Sequence, residues 1–158
     1  MHTIPEILLW LFTINLGISV GAGIYEKRIV LPIWFIKSPG IGYRVNIQGM
    51  LEIDSGRKFW AGVNTVPLTL LTIASLIISV RSNGTGYHWW LMASLITLIE
   101  RVATFSYFIP AALNLSRSEN LPEKKISNLI SSWLFLNHFR ILFTLGAWII
   151  ALKALSLS

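Results

Sequence analysis

Hydrophobic residues are gathered into four long runs, separated by stretches that are rich in glycine and charge. The runs cover residues 4–25, 59–80, 88–112 and 128–153. At a rise of about 1.5 Å per residue, each run is long enough to cross a hydrocarbon layer of about 30 Å. The pattern therefore predicts an all-α fold, with residues 1–158 forming one domain, an integral membrane four-helix transmembrane bundle.

The composition agrees with this class of protein. The chain of 158 residues is 54% hydrophobic and 13% charged, whereas soluble domains carry about 25% charged residues. Several tryptophans, among them Trp34 and Trp60, lie near predicted helix ends, where indole rings favour the membrane interface. The sequence contains no cysteine, which excludes disulfides, thiolate metal sites and a cysteine nucleophile.

The net charge of +6 has two readings, nucleic-acid binding or the excess of basic residues that marks cytoplasmic loops. Lysine and arginine collect in residues 26–58 and 115–127, whereas the opposite side carries only Arg81 and Lys153. We therefore expect the lipid bilayer as a partner and no nucleic acid. Residues 26–58, a predicted long loop, and 115–127 should be cytoplasmic in a bacterial inner membrane, with both termini outside.

The first two apolar runs contain small and polar residues at informative positions. Gly17 and Gly21 are four residues apart, a spacing that lets helix backbones approach closely, either within the chain or in a homo-oligomer. Glu26 falls on the same helical face as Asn15. Asn64 lies about 9 Å inside the second run. We take Glu26 and Asn64 as candidate binding residues.

The third run carries a polar stripe. A repeat of 3.6 residues places five residues on one face: Glu100, Thr104, Tyr107, Ala111 and Asn114. Arg101 follows Glu100 within the same apolar stretch. Because an ionisable side chain at this depth is costly unless it is paired, the stripe predicts a buried ion pair or a binding site.

The fourth run offers partners for this stripe. Trp133, Asn137 and Arg140 share one face, and His138 is turned away from Asn137 by about 100°. Counted from the helix ends, Glu100 and Arg140 both lie about 20 Å deep, which predicts an ion pair between them. Such a pair lines a pocket that opens toward the cytoplasmic half, or it only fixes the helix register.

Metal binding is a weaker interpretation. The chain has three histidines, His2, His88 and His138, of which only His138 lies deep in a predicted helix. Glu100, Asn137 and His138 form a candidate set of mixed nitrogen and oxygen ligands. We predict no cofactor, and we keep a metal ion or haem as alternatives.

Three stretches resemble the anthrone-oxygenase-like family of small four-helix membrane proteins: "GAGIYEKRIVLPIW", "FIPAALNL" and "WLFLNHFR". In that family, a proline and an asparagine close the third helix, and Trp-x-x-x-Asn-x-x-Arg lies on the fourth. Pro110 and Asn114 match the first element, and Trp133, Asn137 and Arg140 match the second. The resemblance covers nearly the whole chain, although its motifs are short.

The resemblance implies oxidation of a polycyclic aromatic molecule at an activated methylene by molecular oxygen, without a cofactor. In such a reaction, His138 or Glu100 acts as the base, and Arg140 or Arg101, together with Asn137, binds the oxyanion. The remaining candidates would bind substrate: Tyr107, Asn114, Trp133, Asn64 and Glu26.

The leading functional hypothesis is thus a membrane-embedded enzyme that acts on a lipophilic aromatic or quinone-like substrate. Two alternatives remain open. The chain is a non-enzymatic membrane module that binds a lipid or a partner helix, or it is a small transporter with Glu100 as its proton-coupled site.

Overall fold

The computed structural model describes residues 3–40, 42–118 and 121–158. Its helices and strands are α1 (Ile4–Tyr25), α2 (Leu31–Trp34), β1 (Phe35–Ser38), β2 (Gly42–Val45), α3 (Ile47–Ile53), α4 (Val66–Arg81), α5 (Thr85–Ala103), α6 (Ile109–Ser116) and α7 (Glu123–Leu155). Three π-helical stretches lie between them, at Glu26–Val30, Gly56–Thr65 and Thr104–Phe108.

Because the π-helical stretches join their neighbours without a break, the chain forms four long helices. We call them span 1 (Ile4–Trp34), span 2 (Gly56–Arg81), span 3 (Thr85–Ser116) and span 4 (Glu123–Leu155). Each is long and apolar enough to cross a membrane. The predicted all-α class is confirmed. The helices extend beyond the apolar runs, since polar residues at the ends of these runs are helical as well.

Each π-helical stretch ends two residues before a proline. The prolines are Pro32, Pro67 and Pro110, each in the first turn of the α-helix that follows. Proline has no backbone N–H, and its ring clashes with the carbonyl of the preceding turn. A wider π turn accommodates both effects while the helix continues.

The predicted long loop at residues 26–58 is mostly ordered secondary structure, so this prediction is wrong. Span 1 continues to Trp34, and an antiparallel hairpin pairs Phe35 with Val45 and Ser38 with Gly42. The short helix α3 then leads into span 2. The sequence pattern missed these elements because amphipathic helix ends and short strands lack a long apolar run.

The hairpin is fastened to span 4. The backbone N–H of Tyr43 donates to Ser127 Oγ at 3.1 Å. Arg44 Nη2 lies 2.9 Å from Glu123 Oε1, although both side chains are more than half exposed. Since exposed ion pairs contribute about 0–1 kcal/mol, the backbone contact to Ser127 is the more specific attachment.

The four spans form a closed square in which neighbours along the chain are neighbours in space. Span 1 packs against spans 2 and 4, and span 3 packs against the same two. Both termini therefore lie at one end of the bundle, which we call the terminal end. The hairpin and α3 lie at the other, the hairpin end.

Large apolar side chains cover the outside of this bundle. Ile14, Ile77, Ile99 and Phe135 are each at least about half exposed, and they are spread over all four spans. Soluble monomers rarely expose apolar patches on this scale. The outer surface therefore suits contact with lipid.

Gly17 allows span 1 to approach span 4. A Cβ atom at this position would lie 3.1 Å from the indole ring of Trp148, whereas a Cβ atom at Gly21 would meet nothing within 4 Å. The first glycine thus serves packing inside the chain. Only Gly21 offers an open surface for the predicted homo-oligomer.

We expect Gly17→Leu to destabilise the bundle by about 1–3 kcal/mol, because the added side chain must displace Trp148. The midpoint of thermal unfolding in detergent measures this effect. Gly21→Leu is the matched control and should leave the midpoint nearly unchanged. Equal losses in both variants would contradict the close packing of Gly17 on span 4.

Candidate functional site

A layer of buried polar side chains separates two apolar cores. The core at the hairpin end contains Val30, Leu31, Trp34, Phe35, Met50, Phe108, Ala111, Leu115, Ile130 and Trp133. The core at the terminal end contains Leu9, Phe12, Leu16, Leu68, Trp90, Ala93, Ala147, Ala151 and Ala154. Between them lies what we call the polar layer: Asn15, Ser19, Glu26, Asn64, Glu100, Arg101, Thr104, Arg140 and Thr144. Buried polar groups are stable only with partners, so this layer constrains how the spans meet.

The first ion pair of the layer joins spans 1 and 4. Arg140 Nη2 lies 3.2 Å from Glu26 Oε2. The other carboxylate oxygen of Glu26 accepts hydrogen bonds from Trp60 Nε1 at 2.8 Å and from Ser55 Oγ at 3.4 Å. The guanidinium carbon of Arg140 lies 4.8 Å from the centre of the Phe108 ring and 5.3 Å from that of Trp60. Residues from all four spans thus surround one ion pair.

The second ion pair lies within span 3. Arg101 Nε donates to Glu100 Oε2 at 2.6 Å, and Thr104 Oγ1 donates to Glu100 Oε1 at 2.9 Å. Both carboxylate oxygens of Glu100 therefore have a partner. The charge of this carboxylate is balanced locally, by the next residue in the chain.

Hydrogen-bonded amide side chains extend the polar layer from span 3 to spans 2 and 1. Arg101 Nη1 donates to Asn64 Oδ1 at 3.5 Å. Asn64 Nδ2 donates to Asn15 Oδ1 at 3.2 Å and also contacts Ser19 Oγ. Asn15 Nδ2 in turn donates to the carbonyl of Val63 at 3.3 Å. Asn64, which is fully buried, is therefore the link between the guanidinium of span 3 and the amide of span 1.

The predicted ion pair between Glu100 and Arg140 is wrong, because each of these residues has another partner. Arg140 pairs with Glu26, and Glu100 pairs with Arg101. The apolar pattern ended the first helix at residue 25 and placed Glu26 at the start of the predicted loop. Since span 1 continues to Trp34, Glu26 lies well inside the bundle, where it can reach span 4.

Glu100, Thr104 and Ala111 of the predicted stripe on the third helix are buried, whereas Tyr107 and Asn114 are not. The π-helical stretch that begins at Thr104 adds a residue to the turn, so the buried positions move to Phe108 and Leu115. Asn114 is consequently exposed, and Tyr107 is half-buried with a hydroxyl that has no partner among the described residues. Neither of these two predicted substrate-binding residues lines the cavity described below.

His138 points away from the site. Its side chain is exposed on the outer face of span 4, and Nδ1 lies 2.6 Å from the carbonyl oxygen of Leu134. Asn137 is buried, but its Oδ1 has no hydrogen-bond donor among the described residues. Neither side chain lines the cavity. The geometry therefore does not bring the predicted base His138 to the polar layer.

The candidate metal ligands are not assembled. Glu100 is buried in span 3, whereas His138 faces outward, and His88 is exposed at the start of α5. His2 lies outside the described residues. Within residues 3–40, 42–118 and 121–158, no group of three or more His, Asp or Glu side chains is placed to hold a metal ion.

A cavity of about 550 Å³ adjoins the polar layer on the side of the hairpin end. Sites for small molecules typically have about 300–1,000 Å³. Five of the predicted site residues line it: Glu26, Glu100, Arg101, Trp133 and Arg140. The side chain of Arg140 is 14% exposed, compared with 6% for Glu26 and Arg101 and 3% for Glu100. Arg140 is thus the most exposed member of the two ion pairs.

Sequence analysis missed several wall residues. Trp34 and Trp60 line the cavity, although their positions near predicted helix ends favoured the membrane interface. Phe108 and Ser55 also line it. A signal existed for Trp60, because it precedes Asn64 by one helical turn and so shares the face of a buried amide.

The ion pairs lead to a prediction about the free energy of unfolding. Glu26→Gln or Arg140→Met alone should destabilise the protein by about 3–5 kcal/mol, because each leaves a buried charge without its partner. The double variant should lose clearly less than the sum. Unfolding in mixed detergent micelles that contain increasing dodecyl sulfate gives the coupling energy.

The matched cycle combines Glu100→Gln with Arg140→Met, and its coupling energy should be clearly smaller. A larger coupling in this second cycle would show that Arg140 pairs with Glu100, as the sequence predicted, and not with Glu26.

Comparisons of the whole chain with protein-family models, with curated proteins and with solved structures find no match. The resemblance to the anthrone-oxygenase-like family therefore stays a prediction from short motifs, and the geometry of the cavity and the polar layer is the basis for any functional assignment.

Proposed function

We propose that this chain is an integral membrane protein that binds a lipophilic aromatic or quinone-like molecule in the cavity, with Arg140 holding an oxygen atom of that molecule. The observation that carries the proposal is the position of Arg140. Its guanidinium lies in the wall of a cavity of about 550 Å³ and packs against the rings of Trp60 and Phe108.

The surroundings of Arg140 suit an oxygen-bearing ligand. A guanidinium has five N–H donors, and the described hydrogen bond to Glu26 uses only Nη2. Hydrogen bonds are stronger in a low dielectric than in water. The remaining donors therefore favour a carbonyl, phenol or enolate oxygen, while the nearby aromatic rings favour a flat apolar body.

The surface of the bundle supports a ligand that comes from the bilayer. Four spans of membrane-crossing length carry large apolar side chains on their outer faces. A molecule that partitions into lipid reaches such a protein without crossing water. This explains why a binding site of this kind would lie within the membrane.

A second candidate function is the oxidation of the bound molecule. Carboxylates and guanidiniums lie side by side in the cavity wall, in Glu26 with Arg140 and Glu100 with Arg101. With His138 outside the cavity, Glu100 is the remaining predicted base. It would accept a proton from a methylene that is conjugated with a carbonyl through an aromatic ring, as in anthrone, and Arg140 would hold the enolate oxygen. Molecular oxygen would then convert the CH₂ group to C=O and release one water molecule.

We expect anthrone and 1,4-naphthoquinone to quench the tryptophan fluorescence of the protein in lipid nanodiscs. The charge-balanced variant Glu26→Gln/Arg140→Met should bind both probes about 10-fold to 100-fold more weakly, because it loses a charged hydrogen-bond donor. Ala112→Phe, which fills the cavity wall without changing a charge, should weaken binding as well. Uptake of oxygen with anthrone tests the second candidate.

His138→Ala separates the geometric proposal from the sequence-based assignment, since His138 faces outward. Binding and any oxygen uptake should be unchanged in this variant. Unchanged binding in both cavity variants would overturn the proposal. Binding without oxygen uptake would leave a binding protein and exclude oxidation of anthrone.

A further inference from the structure

The cavity opens at the hairpin end, between α3, the start of span 2 and α6. Its exposed large apolar lining residues are Leu51, Ile109 and Leu113. Two exposed basic residues, Arg57 and Arg117, complete the rim. We call these five residues the mouth of the cavity. An opening that combines apolar and basic residues suits the boundary between hydrocarbon and lipid headgroups.

The charges at the mouth do not cancel. Asp54 is the acidic residue of the described lining at this end, and its Oδ2 lies 2.7 Å from Arg57 Nε. Two guanidiniums thus face one carboxylate among the described lining residues. A net positive rim attracts an anionic group and repels a cation.

The mouth and Arg140 are separated by an apolar passage. Arg117 directly follows span 3 and lies nine residues beyond Phe108, which corresponds to about 14 Å along a helix. The ring of Phe108 lies 4.8 Å from the guanidinium carbon of Arg140. Trp34 and Met50 also line the walls. The cavity therefore offers a net positive rim at one end and the guanidinium of the Arg140–Glu26 pair at the other, on either side of an apolar passage.

We infer that the cavity takes an anionic amphiphile, a molecule with a carboxylate or phosphate group at Arg57 and Arg117, an apolar body in the passage, and an oxygen-bearing inner end at Arg140. This inference rests on the proposed function, and it specifies the ligand class of the same site. A rim of this charge distinguishes an anionic amphiphile from a neutral one of equal length. The same chemistry is offered by a free amphiphile and by an anionic phospholipid of the bilayer.

The test uses two matched probes, pyrenedecanoic acid and pyrenedecanol, with the protein in nanodiscs of zwitterionic phosphatidylcholine. Energy transfer from tryptophan to pyrene reports binding, since tryptophans line the cavity. The protein should bind the acid more tightly than the alcohol. In Arg57→Gln/Arg117→Gln, the acid should bind about 3-fold to 10-fold more weakly, as expected for two exposed charge contacts, and the alcohol should bind as before.

Arg44→Gln is the matched control, because Arg44 lies at the hairpin end, pairs with Glu123 and is absent from the cavity lining. It should leave the affinity for both probes unchanged. Added sodium chloride should weaken binding of the acid to the unmodified protein more than to the mouth variant. Displacement of the acid by phosphatidylglycerol in the nanodisc would identify the phospholipid as the occupant, and no displacement would identify a free amphiphile.

Two results would overturn the inference. One is equal affinity of the protein for acid and alcohol, and the other is an equal loss of affinity for the acid in the mouth variant and in the Arg44 variant. Ala112→Phe distinguishes this failure from failure of the proposed function. If Ala112→Phe stops binding of both probes while the mouth variant binds both as before, the cavity binds ligand but does not distinguish its charge. If Ala112→Phe also leaves binding unchanged, the proposed function fails as well.

Discussion

The buried ion pair between Glu26 and Arg140 is the contact on which the arrangement of the bundle depends. It joins the first and last spans, and it receives an indole N–H from Trp60 of span 2 and a ring face from Phe108 of span 3. Removing two charges from water costs several kcal/mol each, and only close, well-directed partners offset that cost. The four spans must therefore approach one another at this level in a narrow range of positions.

The π-helical stretches explain how residues of four helices can meet there. Glu26 begins one stretch, Trp60 and Asn64 lie in another, and Thr104 and Phe108 bound the third. Each stretch shifts the helix face by about one residue. A proline follows each one closely, so the same feature that loosens the hydrogen-bond ladder also redirects the side chains. The placement of the polar layer and the course of the backbone thus share one cause.

The two ends of the bundle differ in whether a cavity reaches them. The terminal end is closed by the apolar core around Phe12, Leu68 and Ala147. The hairpin end is open, because the cavity extends from the polar layer to the rim formed by Arg57 and Arg117. The ligand that we propose would therefore enter from this rim, where it would meet Arg57 and Arg117 first and Arg140 afterwards.

The sequence by itself determined the four helices, the burial of Glu100, Arg101 and Arg140, and the inward face of span 4, since long apolar runs and the 3.6-residue period depend on the local chain alone. Only the tertiary structure decided which charges pair, that His138 faces outward and that Phe108 and Leu115 replace Tyr107 and Asn114 inside. Pairing depends on distances between helices that are remote in sequence, and the change of face depends on π turns that no hydrophobic period records. A charge in a low dielectric must find a partner, but the sequence does not say which partner the fold will bring within reach.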